Sequence, residues 1–109
     1  MTNLERLKLE LNHKPYFTDE EYSVFLDENN LLPLDLYVKD SAQSKLLYTV
    51  IDILEAVSND IDLMRRIESE FATTSEIANY LEQRIEKIKY RIYAIPSNEN
   101  SAATLLFRK

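Results

Sequence analysis

Apolar side chains recur every three or four residues along most of the chain, the spacing of one face of an α-helix. Residues 2–11 show this spacing behind Thr2, a residue type that caps helix N-termini, and predict a short first helix. Residues 46–57 are apolar around more than half of a helical wheel. We therefore expect a central helix that begins near Ser41 and is buried on most sides.

A second helix is marked by its own start signals. Thr18 and Glu21 have the spacing of a capping box, and Phe17 and Tyr22 occupy the two positions of a hydrophobic staple. Acidic residues fill the first turn, where they complement the positive end of the helix dipole. This pattern predicts a helix that begins at Thr18 and ends near Asn29.

The second half of the chain has two apolar stripes separated by another capping box, at Thr73 and Glu76. The box indicates either a new helix or a bend in a longer one. The first stripe consists of Ile61, Met64, Ile67 and Phe71. The second predicts a long amphipathic helix of about five turns that ends at a proline, and its members are Ile77, Leu81, Ile85, Ile88, Ile92 and Ile95, before Pro96.

Residues that break or end helices lie between these segments. Residues 31–37 are apolar but interrupted by Pro33, and we expect an extended or single-turn connector packed on the core, with one short strand at most. The chain has no glycine, so we expect asparagine to end helices in its place, at Asn12, Asn29, Asn30 and Asn59. The prediction is an all-α protein: a compact bundle of four to five helices in a single domain, residues 1–96, with a flexible C-terminal tail, residues 97–109.

Composition narrows the function classes. The absence of cysteine and glycine and the single histidine, His13, which we place at a helix end, remove most catalytic, metal and nucleotide-binding templates. We expect a protein that is not an enzyme and has no cofactor or metal. No segment predicts a membrane span or a signal peptide, so the cytoplasm is the expected compartment. The net charge of −6 disfavours nucleic acid as the main ligand.

Two surfaces are candidates for protein contacts. Leu105, Leu106 and Phe107 are apolar residues after the polar segment 97–104, and they are either part of a disordered tail or an anchor that binds a partner. The last helix carries a possible subunit interface off its isoleucine stripe, formed by Tyr80, Arg84, Lys87, Tyr90 and Arg91. Its tyrosines could instead pack within the monomer. Its cations could form a solvated face, a salt-bridged subunit contact or a site for phosphates.

Three segments in this order, FTDEEYSVFLDEN, KLLYTVIDILEAVSND and YLEQRIEKIKYRIYAIP, followed by a polar tail ending TLLFRK, resemble small head–tail connector (adaptor) proteins of tailed bacteriophages and prophages. The resemblance extends over nearly the whole chain. It lies in helix order, size and acidic character, without a family-specific residue set.

The resemblance implies a structural subunit that assembles with copies of itself into a ring between the portal and the tail-completion proteins. DNA would pass through this ring without specific binding, and Leu105, Leu106 and Phe107 would anchor the tail on the portal or a neighbouring subunit. The protein would reside in the bacterial cytoplasm during assembly and then at the head–tail junction of the virion. The alternatives are a small phage-encoded regulatory protein that binds a host protein and a helical DNA-associated factor that uses Arg84, Lys87 and Arg91.

Overall fold

A computed structural model describes residues 1–96. Five α-helices follow one another along this part of the chain: α1 (Asn3–Glu10), α2 (Asp19–Glu28), α3 (Lys39–Ser58), α4 (Ile61–Ile67) and α5 (Thr74–Tyr93). The described residues contain no strand, and their one β-type contact is an isolated antiparallel bridge between Thr2 and Leu36. The predicted all-α fold class is confirmed.

The helix starts follow the caps read from the sequence. Thr2, Thr18 and Thr73 each form a complete capping box. In each box the threonine hydroxyl accepts the backbone N–H of the glutamate three residues later, and the carboxylate of that glutamate accepts the backbone N–H of the threonine. The staple before α2 is also present, because the rings of Phe17 and Tyr22 meet edge to face at 6.2 Å. Helix α3 begins at Lys39, two residues earlier than expected, without a side-chain cap.

Asparagine ends two helices in the conformation that usually selects glycine. Asn12 and Asn30 have φ angles of 58° and 63°, and each lies one residue beyond a helix cap. The N–H groups that follow turn back onto the helix, His13 to the carbonyl of Lys8 (2.8 Å) and Leu31 to that of Leu26 (3.0 Å). These are Schellman turns, and they reverse the chain without glycine.

Asn29 and Asn59 also end helices as expected, since they are the C-caps of α2 and α3, but they are not left-handed, with φ angles of −106° and −92°. Asn29 caps α2 but uses its side chain across the fold, where Nδ2 donates to Oδ2 of Asp52 at 2.9 Å. Asn59 is followed directly by Asp60, whose carboxylate accepts the N–H of Leu63 and starts α4. Because the chain turns immediately into the next helix there, no left-handed residue is needed.

Helix α3 is the centre of the fold and packs against each of the other four helices. Its leucine, isoleucine and valine side chains from Leu46 to Val57 are buried, with Thr49 the one buried polar residue on the helix. Helix α5 lies along α3 through the predicted isoleucine stripe, of which all members from Ile77 to Ile92 are buried and Ile95 is partly buried. Both long apolar patterns are confirmed.

The stripe predicted for residues 61–71 is only partly correct. Ile61 is 58% exposed, whereas Leu63 and Met64 are buried. The reason is the short length of α4, which ends at Ile67 and turns its first residue away from the core. Residues 68–73 separate it from α5, so the capping box at Thr73 begins a new helix and is not a bend.

Candidate interaction surfaces

The connector between α2 and α3 is held by the start of α1. The N–H of Asn3 donates to the carbonyl of Asp35 at 2.9 Å, and the N–H of Tyr37 donates to the carbonyl of Met1 at 2.9 Å. The side chain of Asn3, which is buried, donates from Nδ2 to the carbonyl of Leu32 at 2.8 Å. These bonds hold the connector against the start of α1.

Within the connector, the N–H of Asp35 donates to the carbonyl of Leu32 at 3.2 Å and closes a turn at residues 33 and 34, which is the single-turn alternative predicted for this segment. Leu31 is buried and Tyr37 is half-buried. Four other apolar side chains of the connector are exposed, with exposed fractions of 59% for Leu32, 80% for Leu34, 69% for Leu36 and 50% for Val38. We call these four residues the apolar ledge. The expectation that the connector packs on the core is therefore wrong for the ledge.

Two residues of the predicted interface on α5 bind α1 instead of facing solvent freely. Nη2 of Arg84 donates to the backbone carbonyl of Glu10 at 3.1 Å. Nη1 of Arg91 lies 2.5 Å from the Glu10 carboxylate, which also pairs with Arg6 at 3.1 Å. Partial burial would raise the pKa of Glu10, but the two guanidinium groups outweigh it and lower that pKa. The hydrogen bonds that Arg91 donates to the Glu10 carboxylate raise the pKa of Arg91 in turn.

The other residues of this predicted interface divide between the interior and the surface. The ring of Tyr80 packs against Phe71 at 5.1 Å and is half-buried. Lys87 is exposed, as is Tyr90, whose exposed fraction is 73%. Tyr93, one turn further on, is 68% exposed. The structure thus brings Tyr80, Arg84 and Arg91 onto the rest of the chain and leaves Lys87 and Tyr90 available for contacts.

The predicted partner-binding residues Leu105, Leu106 and Phe107 lie outside the described residues. The last helix ends at Tyr93 and the description stops at Pro96, so the assignment of these three residues stays a prediction.

A buried polar cluster, which the sequence did not indicate, joins the α1–α2 loop to the end of α4. Glu68 has no exposed surface, and its two carboxylate oxygens accept hydrogen bonds from Nζ of Lys14 and from the hydroxyl of Tyr16. Nζ of Lys14 also lies 3.7 Å from Glu70 and 5.1 Å from the centre of the Tyr80 ring. The cluster therefore connects residues more than fifty positions apart in the sequence.

The electrostatics of this cluster favour a neutral tyrosine and a charged lysine. Burial raises the pKa of Tyr16, and the hydrogen bond and the charge of Glu68 raise it further. Burial would lower the pKa of Lys14, but the hydrogen bond and the charge of Glu68 prevail and raise it. A phenol and an ammonium group held this way act as structural donors to the carboxylate.

Residues 1–96 contain no group of three or more histidine, aspartate or glutamate side chains that could hold a metal ion. His13 is exposed and lies in the Schellman turn after α1, in agreement with the expected position at a helix end. An open hollow of about 340 Å³ lies on the outer side of α5, where its lining includes Asn79, Glu82 and Lys87. In the described part of the chain, none of the helices has the length and apolar character needed to cross a membrane.

Comparisons with protein-family models, with curated proteins and with solved structures give no match for this chain.

Proposed function

We propose that this chain is a non-enzymatic structural protein that binds other proteins, and specifically a head–tail connector subunit of a tailed bacteriophage or prophage. In this role it forms a ring with copies of itself and bridges the portal and the tail-completion proteins. The observation that carries the proposal is the apolar ledge, four exposed aliphatic side chains on a connector fixed by backbone hydrogen bonds.

Single exposed leucines are common on soluble proteins, but four exposed aliphatic side chains within the seven residues 32–38 are typical of a binding surface. The ledge contributes four of the ten large apolar side chains that are exposed within residues 1–96. Its backbone is already ordered by Asn3 and Met1, so a partner would not have to pay the entropy of ordering this segment. An apolar segment whose backbone is already ordered suits a stable protein contact.

A ring of identical subunits needs two different surfaces on each subunit, one complementary to the other. The ledge is one such surface. The exposed rings of Tyr90 and Tyr93 near the end of α5 are a second, because tyrosine combines a large contact area with a hydroxyl that can stay hydrated. The acidic net charge suits a ring through which DNA passes without specific binding.

The two alternatives differ in how the structure supports them. A regulatory protein that binds a host protein could use the same ledge, and only its partner would distinguish it. A DNA-associated factor would need Arg84, Lys87 and Arg91 to reach phosphates. Because two of these cations are held by Glu10, the contacts within the chain favour the protein-binding functions.

The test is affinity capture of the tagged full-length chain from cells that carry the phage or prophage, with mass spectrometry of the bound proteins. Leu34→Asp places a charge on the ledge, and Val24→Asp is the matched control on the outer side of α2, where Val24 is 57% exposed. We expect portal or tail-completion proteins with the wild type and with Val24→Asp, and their loss with Leu34→Asp. Recovery of a host protein alone would overturn the connector proposal in favour of the regulatory protein.

A further inference from the structure

We propose that residues 105–107 of this same chain bind the apolar ledge within one molecule and cover it until a partner displaces them. This inference goes beyond the proposed function, because it concerns the free subunit and not the assembly. It commits to one occupant of the ledge, the chain's own Leu105, Leu106 and Phe107.

The chemistry of the segment matches that of the ledge. Residues 97–104 are small or polar, and Leu105, Leu106 and Phe107 are the apolar cluster of the segment after Pro96. Contact with the exposed aliphatic side chains of the ledge would remove the apolar side chains of the segment from water, which is favourable.

A chain of contacts brings the end of α5 near the connector. The guanidinium of Arg91 binds the Glu10 carboxylate at 2.5 Å, and Arg6 binds the same carboxylate at 3.1 Å. The guanidinium carbon of Arg6 in turn lies 5.4 Å from the centre of the Tyr37 ring, between Leu36 and Val38 in the chain. Residues 97–104 can extend by roughly 25 Å. The tether is therefore long enough to carry residue 105 from this end of α5 to the ledge.

Charge adds to the match. Arg108 and Lys109 directly follow the apolar residues of the segment. The exposed side chains of Asp35 and Asp40 lie within and beside the ledge, where Lys39, the first residue of α3, is an exposed cation. The positive charges of Arg108 and Lys109 attract the negative charges of Asp35 and Asp40. This attraction favours one orientation of the segment on the ledge and strengthens its binding at low ionic strength.

Tethering favours the chain's own segment over that of a second copy. A short linker gives an effective concentration of the order of millimolar, well above the concentration of free subunits in dilute solution. The ledge would then be covered in the free protein, and a partner would have to displace the segment to reach it. Assembly would thereby depend on a partner with higher affinity for the ledge.

The experiment uses the absence of native cysteine. A spin label on Ala103→Cys in the full chain broadens the amide signals of nearby residues, which are read by nuclear magnetic resonance on isotope-labelled protein. We expect the amide signals of Leu34, Leu36 and Val38 to lose most of their intensity. The loss should disappear in a variant with Leu105, Leu106 and Phe107 all changed to serine.

A mixed sample identifies the occupant. Isotope-labelled protein without a spin label is combined with unlabelled, spin-labelled protein, so that any broadening must come from another molecule. We expect no broadening in this sample. Broadening of the same strength as in the single-species sample would assign the ledge to the segment of a second copy and overturn the inference.

Absence of broadening in both samples would also overturn it, because the segment would then not bind the ledge. The ledge variant Leu34→Asp should reduce the broadening at Leu36 and Val38, whereas Val24→Asp should preserve it. Each result is independent of the affinity capture, which reads the partner and not the free protein. Failure of this inference can therefore be told from failure of the connector proposal.

Discussion

Removal of the buried carboxylate of Glu68 should destabilise the fold more than its position after a short helix suggests. In Glu68→Ala, the hydroxyl of Tyr16 stays buried and loses its acceptor, which costs about 1–3 kcal/mol. Breaking a fully buried ion pair costs about 3–5 kcal/mol. The side chain of Lys14 is 22% exposed and lies 3.7 Å from Glu70, so it keeps other partners and the smaller part of that penalty applies.

We therefore expect a loss of about 3 kcal/mol in the free energy of unfolding, which corresponds to a melting temperature lower by roughly 12–24 °C for a domain of this size. Chemical denaturation followed by far-ultraviolet circular dichroism measures it as a lower midpoint with an unchanged slope. The matched control is Glu70→Ala, since Glu70 contacts the same ammonium group but is 60% exposed. Its expected cost is below about 1 kcal/mol.

A variant that replaces the whole cluster tests the cause. Lys14→Met, Tyr16→Phe and Glu68→Leu combined leave no polar group of the cluster without a partner and keep the volume similar, so we expect stability close to that of the wild type. If this variant is as unstable as Glu68→Ala, the loss comes from packing and the reasoning from unpaired polar groups is refuted. A wild-type midpoint for Glu68→Ala itself would refute it as well.

Three further predictions use the same unfolding assay. The pKa values of Tyr16 and Lys14 are raised in the folded protein, so the stability they contribute is present at neutral pH and is lost as the pH rises above about 10; Tyr16→Phe should reduce this alkaline loss. Asn30→Ala should lower the free energy of unfolding by about 1–2 kcal/mol, because the φ of 63° at this position is unfavourable for alanine, whose side chain offers no local hydrogen bond. Asn30→Gly should not lower it. Leu54→Asp should abolish the helical signal in circular dichroism, because Leu54 has no exposed surface and the introduced carboxylate would be buried without a partner. The equivalent change at Leu34 should alter stability by less than about 0.5 kcal/mol.

Each of these has a result that would contradict it. A pH profile of Tyr16→Phe that matches the wild type would show that this phenol does not couple to unfolding. Equal midpoints for the alanine and glycine variants at residue 30 would remove backbone strain as the reason for asparagine there. A folded Leu54→Asp, or an unfolded Leu34→Asp, would contradict the burial assigned to α3 or to the ledge.

The parts of the fold that could be predicted are those in which the physical cause is local in the sequence. A capping box needs only a threonine and a glutamate three residues apart, so Thr18 and Thr73 marked the starts of α2 and α5 correctly. The isoleucine stripe of α5 was equally readable, because a helix face depends on spacing within one segment.

The polar contacts could not be predicted, because their causes are distant in the sequence. Glu68, followed by Ser69 and Glu70, has the composition of a solvated loop. Its burial results from the α1–α2 loop, which brings Lys14 and Tyr16 from 54 and 52 positions away. Likewise, the spacing of Arg84 and Arg91 placed them on one helix face but did not reveal that this face meets Glu10.

The ledge shows why composition alone misassigned the connector. Residues 31–37 are as apolar as a core segment, yet backbone bonds to Asn3 and Met1 and a turn at residues 33 and 34 hold them along the start of α1, where only part of their side chains is buried. Leu31 and Tyr37 supply the buried and half-buried part. The outward leucines contribute little to folding, since water still contacts most of their surface. Substitutions on the ledge should therefore separate binding from stability.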